Sequence, residues 1–197
     1  MSFRLGLTGS IGMGKSTTAA LFAEQGCAVW DADAAVHKLY GPGGAAVAPI
    51  GALWPEAISG GAVARPALKE IIAQDAGALP RIEAIVHPLV AQDRADFGRQ
   101  SVAEITVFDT PLLYETGGTA QMDAVVCVFV APEVQRARVL ARGTMTEAQF
   151  AQILANQMPI AEKRRRADYE IETDTLSHAR AQVQEVLRDI KVRLADA

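Results

Sequence analysis

The run Gly9-Ser-Ile-Gly-Met-Gly-Lys-Ser16 sets glycine, lysine and a hydroxyl in the spacing G-x-x-x-x-G-K-[ST], a pattern that cradles nucleotide phosphates. Glycines let the backbone come close to a phosphate, so that the amides of residues 10–16 can converge on it as donors. Gly9, Ser10, Ile11, Gly12, Met13, Gly14, Lys15, Ser16 and Thr17 are therefore the expected nucleotide-binding residues. Lys15 is placed to reach the β- and γ-phosphates of ATP, and the Ser16 hydroxyl to ligate Mg²⁺. A helix starting near Lys15 adds its positive N-terminal end.

Carboxylates follow at two further places. Asp31-Ala-Asp33 stands just past a short apolar stretch, Cys27-Ala-Val-Trp30, where the carboxyl end of a strand meets the ligand edge of an open α/β sheet. One of the pair suits a helix N-cap and one a general base for a transferred phosphoryl group. His37, four residues after Asp33, shares its helix face and either contacts substrate or braces the carboxylate. Asp109 ends the strand-like run Glu104-Ile-Thr-Val-Phe-Asp109, the place for a second carboxylate that holds Mg²⁺ directly or through water. Arg136, Arg138 and Arg142 lie on the expected helix Pro132–Arg142, and Arg142 sits at its turn into a second helix, Glu147–Met158. A helix–turn–helix with arginines at its root suits a lid that excludes water and brings positive charge to the phosphoryl group, with Arg142 as the favoured contact.

These groups need a scaffold, and the hydrophobic pattern supplies one. Apolar Leu5 and Leu7 lead into the glycines, and a helix over 15–26 stops at Gly26, a natural C-cap. Strand patterns recur over 27–30, 104–109, 123–130 and 167–172, with helices over 34–40, 132–142, 147–158 and 174–194. The alternation predicts an α/β fold: a doubly wound parallel sheet of about five strands. Between residues 45 and 100 only helical patterns appear (45–50, 65–74, and 77–99 with a kink at Pro88), and this predicts a helical insertion. Such an insertion beside a phosphate loop suits an acceptor site, with Arg65, Lys69, Arg81 and His87 as its polar candidates. Lys163-Arg-Arg-Arg166 reads as a solvated basic face that also flanks the nucleotide.

Composition narrows the class. The 197 residues are 50% hydrophobic, enough for a sizeable core, and carry 19 Lys+Arg against 23 Asp+Glu, a net charge of −4. That balance leaves no basic footprint for nucleic acid. No window approaches the roughly eighteen apolar residues of a membrane span, and Gly6, Thr8 and Gly9 interrupt any apolar signal region. Cys27 and Cys127 are far apart, form no C-x-x-C pair and read as core residues, so a reducing, cytoplasmic setting is the expectation. No coiled coil or long apolar edge demands a partner, so a monomer is the first expectation and an oligomer the alternative.

Taken together, Gly6-Leu-Thr-Gly-Ser-Ile-Gly-Met-Gly-Lys-Ser16, Asp31-Ala-Asp33 with His37, Gly41-Pro-Gly43 and His87-Pro88 resemble the dephospho-CoA kinase family. So do Asp109-Thr-Pro-Leu-Leu-Tyr-Glu115, Asp123-Ala-Val125, the arginine helix ending at Arg142, Gln157, and Lys163 to Ala167-Asp168. The resemblance implies ATP-dependent phosphorylation of the ribose 3′-hydroxyl of dephospho-CoA, the last step of coenzyme A synthesis. It implies three parts: a nucleotide-binding core (1–30, 101–142 and 161–197), a helical acceptor domain (31–100) and a lid (143–160). Asp33 would be the catalytic base, beside Lys15 and Arg142, while Asp31, His37, Arg65, His87 and Leu112 would lie on the acceptor side. Ile171-Glu-Thr173 stands where the family has I-[DE]-N, so Thr173 replaces an asparagine directed at the nucleotide base region. The rival readings are a phosphate-loop kinase for a different small acceptor and a non-catalytic nucleotide-binding module.

Overall fold

The computed structural model describes residues 2–196, which gather into two compact units. The chain up to Trp30 and from Ser101 onward forms one, and Asp31–Gln100 the other.

The first unit is built on β1 (Phe3–Gly9), α1 (Lys15–Glu24), β2 (Ala28–Asp31) and β5 (Ile105–Asp109). It continues with β6 (Ala124–Phe129), α6 (Pro132–Ala141), α7 (Glu147–Ala155), α8 (Ile160–Arg166), β7 (Tyr169–Glu172) and α9 (Leu176–Ala195). Its five-stranded parallel sheet has the order β2-β5-β1-β6-β7, as the strand–helix alternation predicts. β1, β5 and β6 are buried along nearly their whole length and mostly apolar, as in a parallel sheet covered on both faces. Leu5, Leu7, Val107, Val126 and Val128 are fully buried in one cluster with Leu21 and Phe22 of α1 and residues of α9. On α9 the buried residues are Ala179, Val183, Val186, Leu187 and Ile190, a stripe of helical period. Burying each large side chain contributes roughly 1.5–3 kcal/mol. Burial pushes the Cys127 thiol up to about 12 and the Cys27 thiol up to about 11, so both behave as core residues rather than nucleophiles.

Two aspartates just before strands set their register. Asp123 accepts from the Arg4 amide (2.8 Å) and from the Arg4 guanidinium (2.6 Å to Nη2), while its own amide donates to Arg4 O (2.8 Å). Asp168 accepts from Val125 N (2.8 Å) and donates to Val125 O (2.9 Å), which aligns β7 on β6.

The second unit holds α2 (Ala32–Tyr40), α3 (Val47–Leu53), α4 (Arg65–Gln74) and α5 (Ala78–Gln100) around its own core of Leu39, Ile50, Trp54, Leu68, Ile82 and Val86. α5 runs unbroken through Pro88. One departure from the sequence reading lies here: β3 (Ile58–Ser59) and β4 (Ala62–Val63) pair as an antiparallel hairpin where only helices and turns are expected. Two residues per strand are too few to display a period of two, so only the Gly60-Gly61 turn is visible in the sequence.

The Arg4 hydrogen bonds, outweighing partial burial, hold the Asp123 carboxyl below the usual carboxylate range. A carboxyl depressed on folding contributes stability that is complete above its unfolded value, near pH 3.9, and is lost as pH falls through the folded value. With Arg4 half exposed, the pair is worth roughly 0.2–1 kcal/mol. Asp123→Asn is therefore expected to lose about that much at neutral pH and to show a flatter loss of stability below pH 4, read by denaturant titrations across pH.

Candidate functional site

The phosphate loop leaves β1 at Gly9, and its glycines sit where a side chain cannot. Gly12 and Gly14 adopt left-handed φ of +76° and +79°. A Cβ on Gly9 would lie 2.5 Å from Val128 Cγ2, and one on Gly12 would lie 2.4 Å from Val139 Cγ2. Gly14 is the N-cap of α1 and supplies no side-chain cap, so the first-turn amides remain available to an anion. Met13 and Thr18 are buried, while Ser16 and Thr17 face outward at the start of α1. The Thr18 hydroxyl donates to Gly14 O (3.1 Å) and secures the turn from inside.

In the β1–β5 ladder Leu7 lies opposite Asp109, so the loop and the Asp109 carboxylate emerge side by side. Lys15 closes the arrangement with an ion pair to Asp109 Oδ1, and Asp109 is 1% exposed. A buried carboxylate needs such a partner, because an isolated charge there would lose its hydration without compensation.

Beyond Asp109 the chain turns away at Pro111, whose carbonyl accepts from the Thr8 hydroxyl (3.1 Å) and from Lys163 Nζ (2.9 Å). Lys163 also pairs with Glu115 (2.9 Å), and Glu115 accepts from Met158 N (2.9 Å). Burial alone would raise the Glu115 carboxyl, but the bonds from Lys163 and Met158 outweigh it and hold the group below its usual range. Reading Lys163 as part of a solvated basic face is thus corrected. Its side chain is wholly buried, while Arg165 and Arg166 on the same helix are exposed and pair with Glu162. A run of like charges does not reveal which member faces inward; the one clue is position, three residues beyond Ile160 on a one-sided helix.

The other expected residues are placed as follows. Asp31 is the N-cap of α2 and accepts from Ala34 N (2.8 Å), so of the two carboxylates it is Asp31 that caps. Asp33 stands exposed in the first turn, with His37 exposed four residues on. Arg65 stacks over the Tyr40 ring (5.6 Å to the centroid), and His87 is exposed on α5. Lys38 ties α2 to α5 through Asp93 (2.5 Å). In the first unit Leu112 is exposed on the loop after Asp109, and Arg142 is exposed at the C-cap of α6. Arg136 pairs with Glu147 (2.6 Å) and links α6 to α7. Arg138 turns the other way, donating to Thr173 O (2.6 Å).

Three polar contacts around the loop join residues far apart in the chain, and of their members only Gln135 is absent from the sequence reading. The Ser10 hydroxyl donates to Gln157 Oε1 (2.6 Å), the buried Gln135 amide donates to Ile11 O (2.7 Å), and the Thr173 hydroxyl donates to Met13 O (2.9 Å). Gln135 was legible only as a polar residue on the otherwise apolar face of an amphipathic helix.

Residues 3–178 match the family model described as dephospho-CoA kinase. A dephospho-CoA kinase of Ruegeria pomeroyi is 67% identical over 97% of this chain and 97% of its own. One of Cereibacter sphaeroides is 62% identical over 99% and 98% respectively. A crystal structure of a Thermus thermophilus protein superposes with a TM-score of 0.83 at 30% identity, covering 95% of this chain and 97% of that one.

Replacing Lys163 by Met leaves Glu115 without its buried cation, and breaking such a pair from one side costs about 3 kcal/mol. Denaturant unfolding is expected to show that loss for Lys163→Met, and a smaller one when Glu115→Leu is added, since the double variant strands no charge.

Proposed function

The chain belongs to the dephospho-CoA kinase family, and from that premise we propose how its own residues carry the reaction. The reaction is transfer of the γ-phosphoryl group of ATP to the ribose 3′-hydroxyl of dephospho-CoA, giving coenzyme A and ADP.

The transferring group carries negative charge that spreads over its oxygens, so catalysis depends on positioning and on positive charge in place beforehand. The loop amides and the α1 N-terminus bind the β- and γ-phosphates, and Lys15 moves its ammonium from Asp109 onto them. Asp33 takes the proton of the attacking hydroxyl. What supports Asp33 over Asp31 is that Asp31 spends a carboxylate oxygen on the Ala34 amide, whereas Asp33 is exposed. Arg142, at the α6 terminus, approaches the phosphoryl oxygens when the lid closes and offsets their charge. His37, Arg65, His87, Asp31 and Leu112 serve the acceptor.

Ser16 and Asp109 are hard oxygen donors at neighbouring ends of α1 and β5, a set suited to Mg²⁺. When bound, the ion supplies charge neutralisation across the β- and γ-phosphates.

The helical unit 31–100 acts as the acceptor domain and residues 143–160 as the lid; the separate packing of Asp31–Gln100 supports the first assignment. The enzyme works as a cytoplasmic monomer on a small-molecule substrate. No helix among the described residues is long and apolar enough to cross a membrane.

ADP release with ATP and Mg²⁺ tests the reaction, with adenosine, AMP and shikimate as control acceptors. Release that depends on dephospho-CoA and yields coenzyme A is expected; release only with another acceptor would overturn the substrate. For the base, Asp33→Asn is expected to lower kcat by about 10²–10⁴-fold while ATP binding stays within twofold, and turnover near that of the parent enzyme would remove Asp33 from this role.

A further inference from the structure

Three residues on one face of α6, at spacing i, i+3 and i+4, press against the phosphate loop or its support. Gln135, 4% exposed, donates its amide to Ile11 O (2.7 Å). Val139 fills the space where a Gly12 side chain would stand. Arg138 donates from Nη1 to Thr173 Oγ1 (3.2 Å) and from Nη2 to Thr173 O (2.6 Å). Thr173, 7% exposed, in turn donates to Met13 O (2.9 Å), and its side chain lies directly behind Gly14.

The two carbonyls held in this way, those of Ile11 and Met13, belong to the peptides that carry the Gly12 and Gly14 amides. In a trans, planar peptide the C=O and the following N–H point in opposite directions. A donor that pulls each carbonyl outward therefore turns the amide on its far side inward. Glycines at left-handed φ permit that orientation but do not select it, because glycine populates both signs of φ about equally. The selection comes from outside the loop.

We propose that Gln135 and Thr173 are positioning residues for the ATP phosphates: by binding the Ile11 and Met13 carbonyls they aim the Gly12 and Gly14 amides into the phosphate cradle. This rests on the phosphate-binding part of the proposed function and adds two residues outside the loop motif. It also gives the threonine at 173 a role. Its hydroxyl is engaged with the loop backbone, so in this chain the position serves the phosphates.

The test uses the full chain and two conservative replacements, Gln135→Met and Thr173→Val, each close in volume and each lacking the donor. Titration calorimetry with MgATP reads the dissociation constant, and steady-state rates read KM for dephospho-CoA. Each variant is expected to bind MgATP about tenfold more weakly, the cost of one hydrogen bond to a buried carbonyl. KM for dephospho-CoA is expected to stay within twofold, and Thr173→Ser, which keeps the hydroxyl, to bind MgATP like the parent. MgATP affinity within twofold of the parent in both donor-less variants would overturn the proposal, as would Thr173→Ser binding as poorly as Thr173→Val. An equal rise for both substrates would also overturn it, marking a general packing role. If Gln135→Met does not fold, the two Thr173 variants decide by the same criteria. Calorimetry needs no acceptor, so a parent chain inactive on dephospho-CoA would remove the substrate assignment while leaving this test readable.

Discussion

The pairing of β1 with β5 is the constraint from which the nucleotide end of the molecule follows. With Leu7 opposite Asp109, the loop that carries Lys15 and the strand end that carries Asp109 open at the same sheet edge. The Lys15–Asp109 ion pair then seals that junction where water is almost excluded. Each charge offsets part of the other's desolvation, so the pair favours keeping the strand end and the loop together. The sheet core beneath, packed against α1 and α9, keeps the two strand ends in register.

A second set of interactions surrounds this pair and consists almost wholly of side chains bonded to backbone. Thr8 and Lys163 share the Pro111 carbonyl, Gln135 holds that of Ile11, and Thr173 that of Met13. Backbone carbonyls in loops need partners, and here buried polar side chains satisfy those of Ile11, Met13 and Pro111. The same ties reach α6, whose far end carries Arg142, and the segment between α7 and α8, through Ser10 with Gln157 and Glu115 with Met158. Phosphate loop, arginine helix and the α7–α8 segment thus form one hydrogen-bonded system, which suits phosphoryl transfer, a reaction governed by placement of charge.

Some of this was open to reading from the residues alone. The glycines with Lys15 and Ser16, the aspartate ending an apolar run at Asp109, and Asp31-Ala-Asp33 after a short strand are local patterns, each complete within a few residues. The strand Ala124–Phe129 announces itself as a continuous apolar run, and the α9 stripe by its helical period. The hairpin Ile58–Val63 does not, because its strands are two residues long, and Lys163 looks like its neighbours Arg164, Arg165 and Arg166 although it alone of the four is fully buried. Which of Asp31 and Asp33 caps the helix depended on the backbone at residues 31–34, and the structure assigns the cap to Asp31.

By itself, then, the sequence determined the class of fold, the family and the chemistry of the phosphate loop, because those depend on periodicity and on residues adjacent in the chain. Only the tertiary structure decided that Gln135 bonds the Ile11 carbonyl, Thr173 that of Met13 and Lys163 that of Pro111. Their partners lie 124, 160 and 52 residues away, and no local pattern encodes a hydrogen bond across that distance. It is made when packing removes both groups from water and each then compensates part of the other's lost hydration.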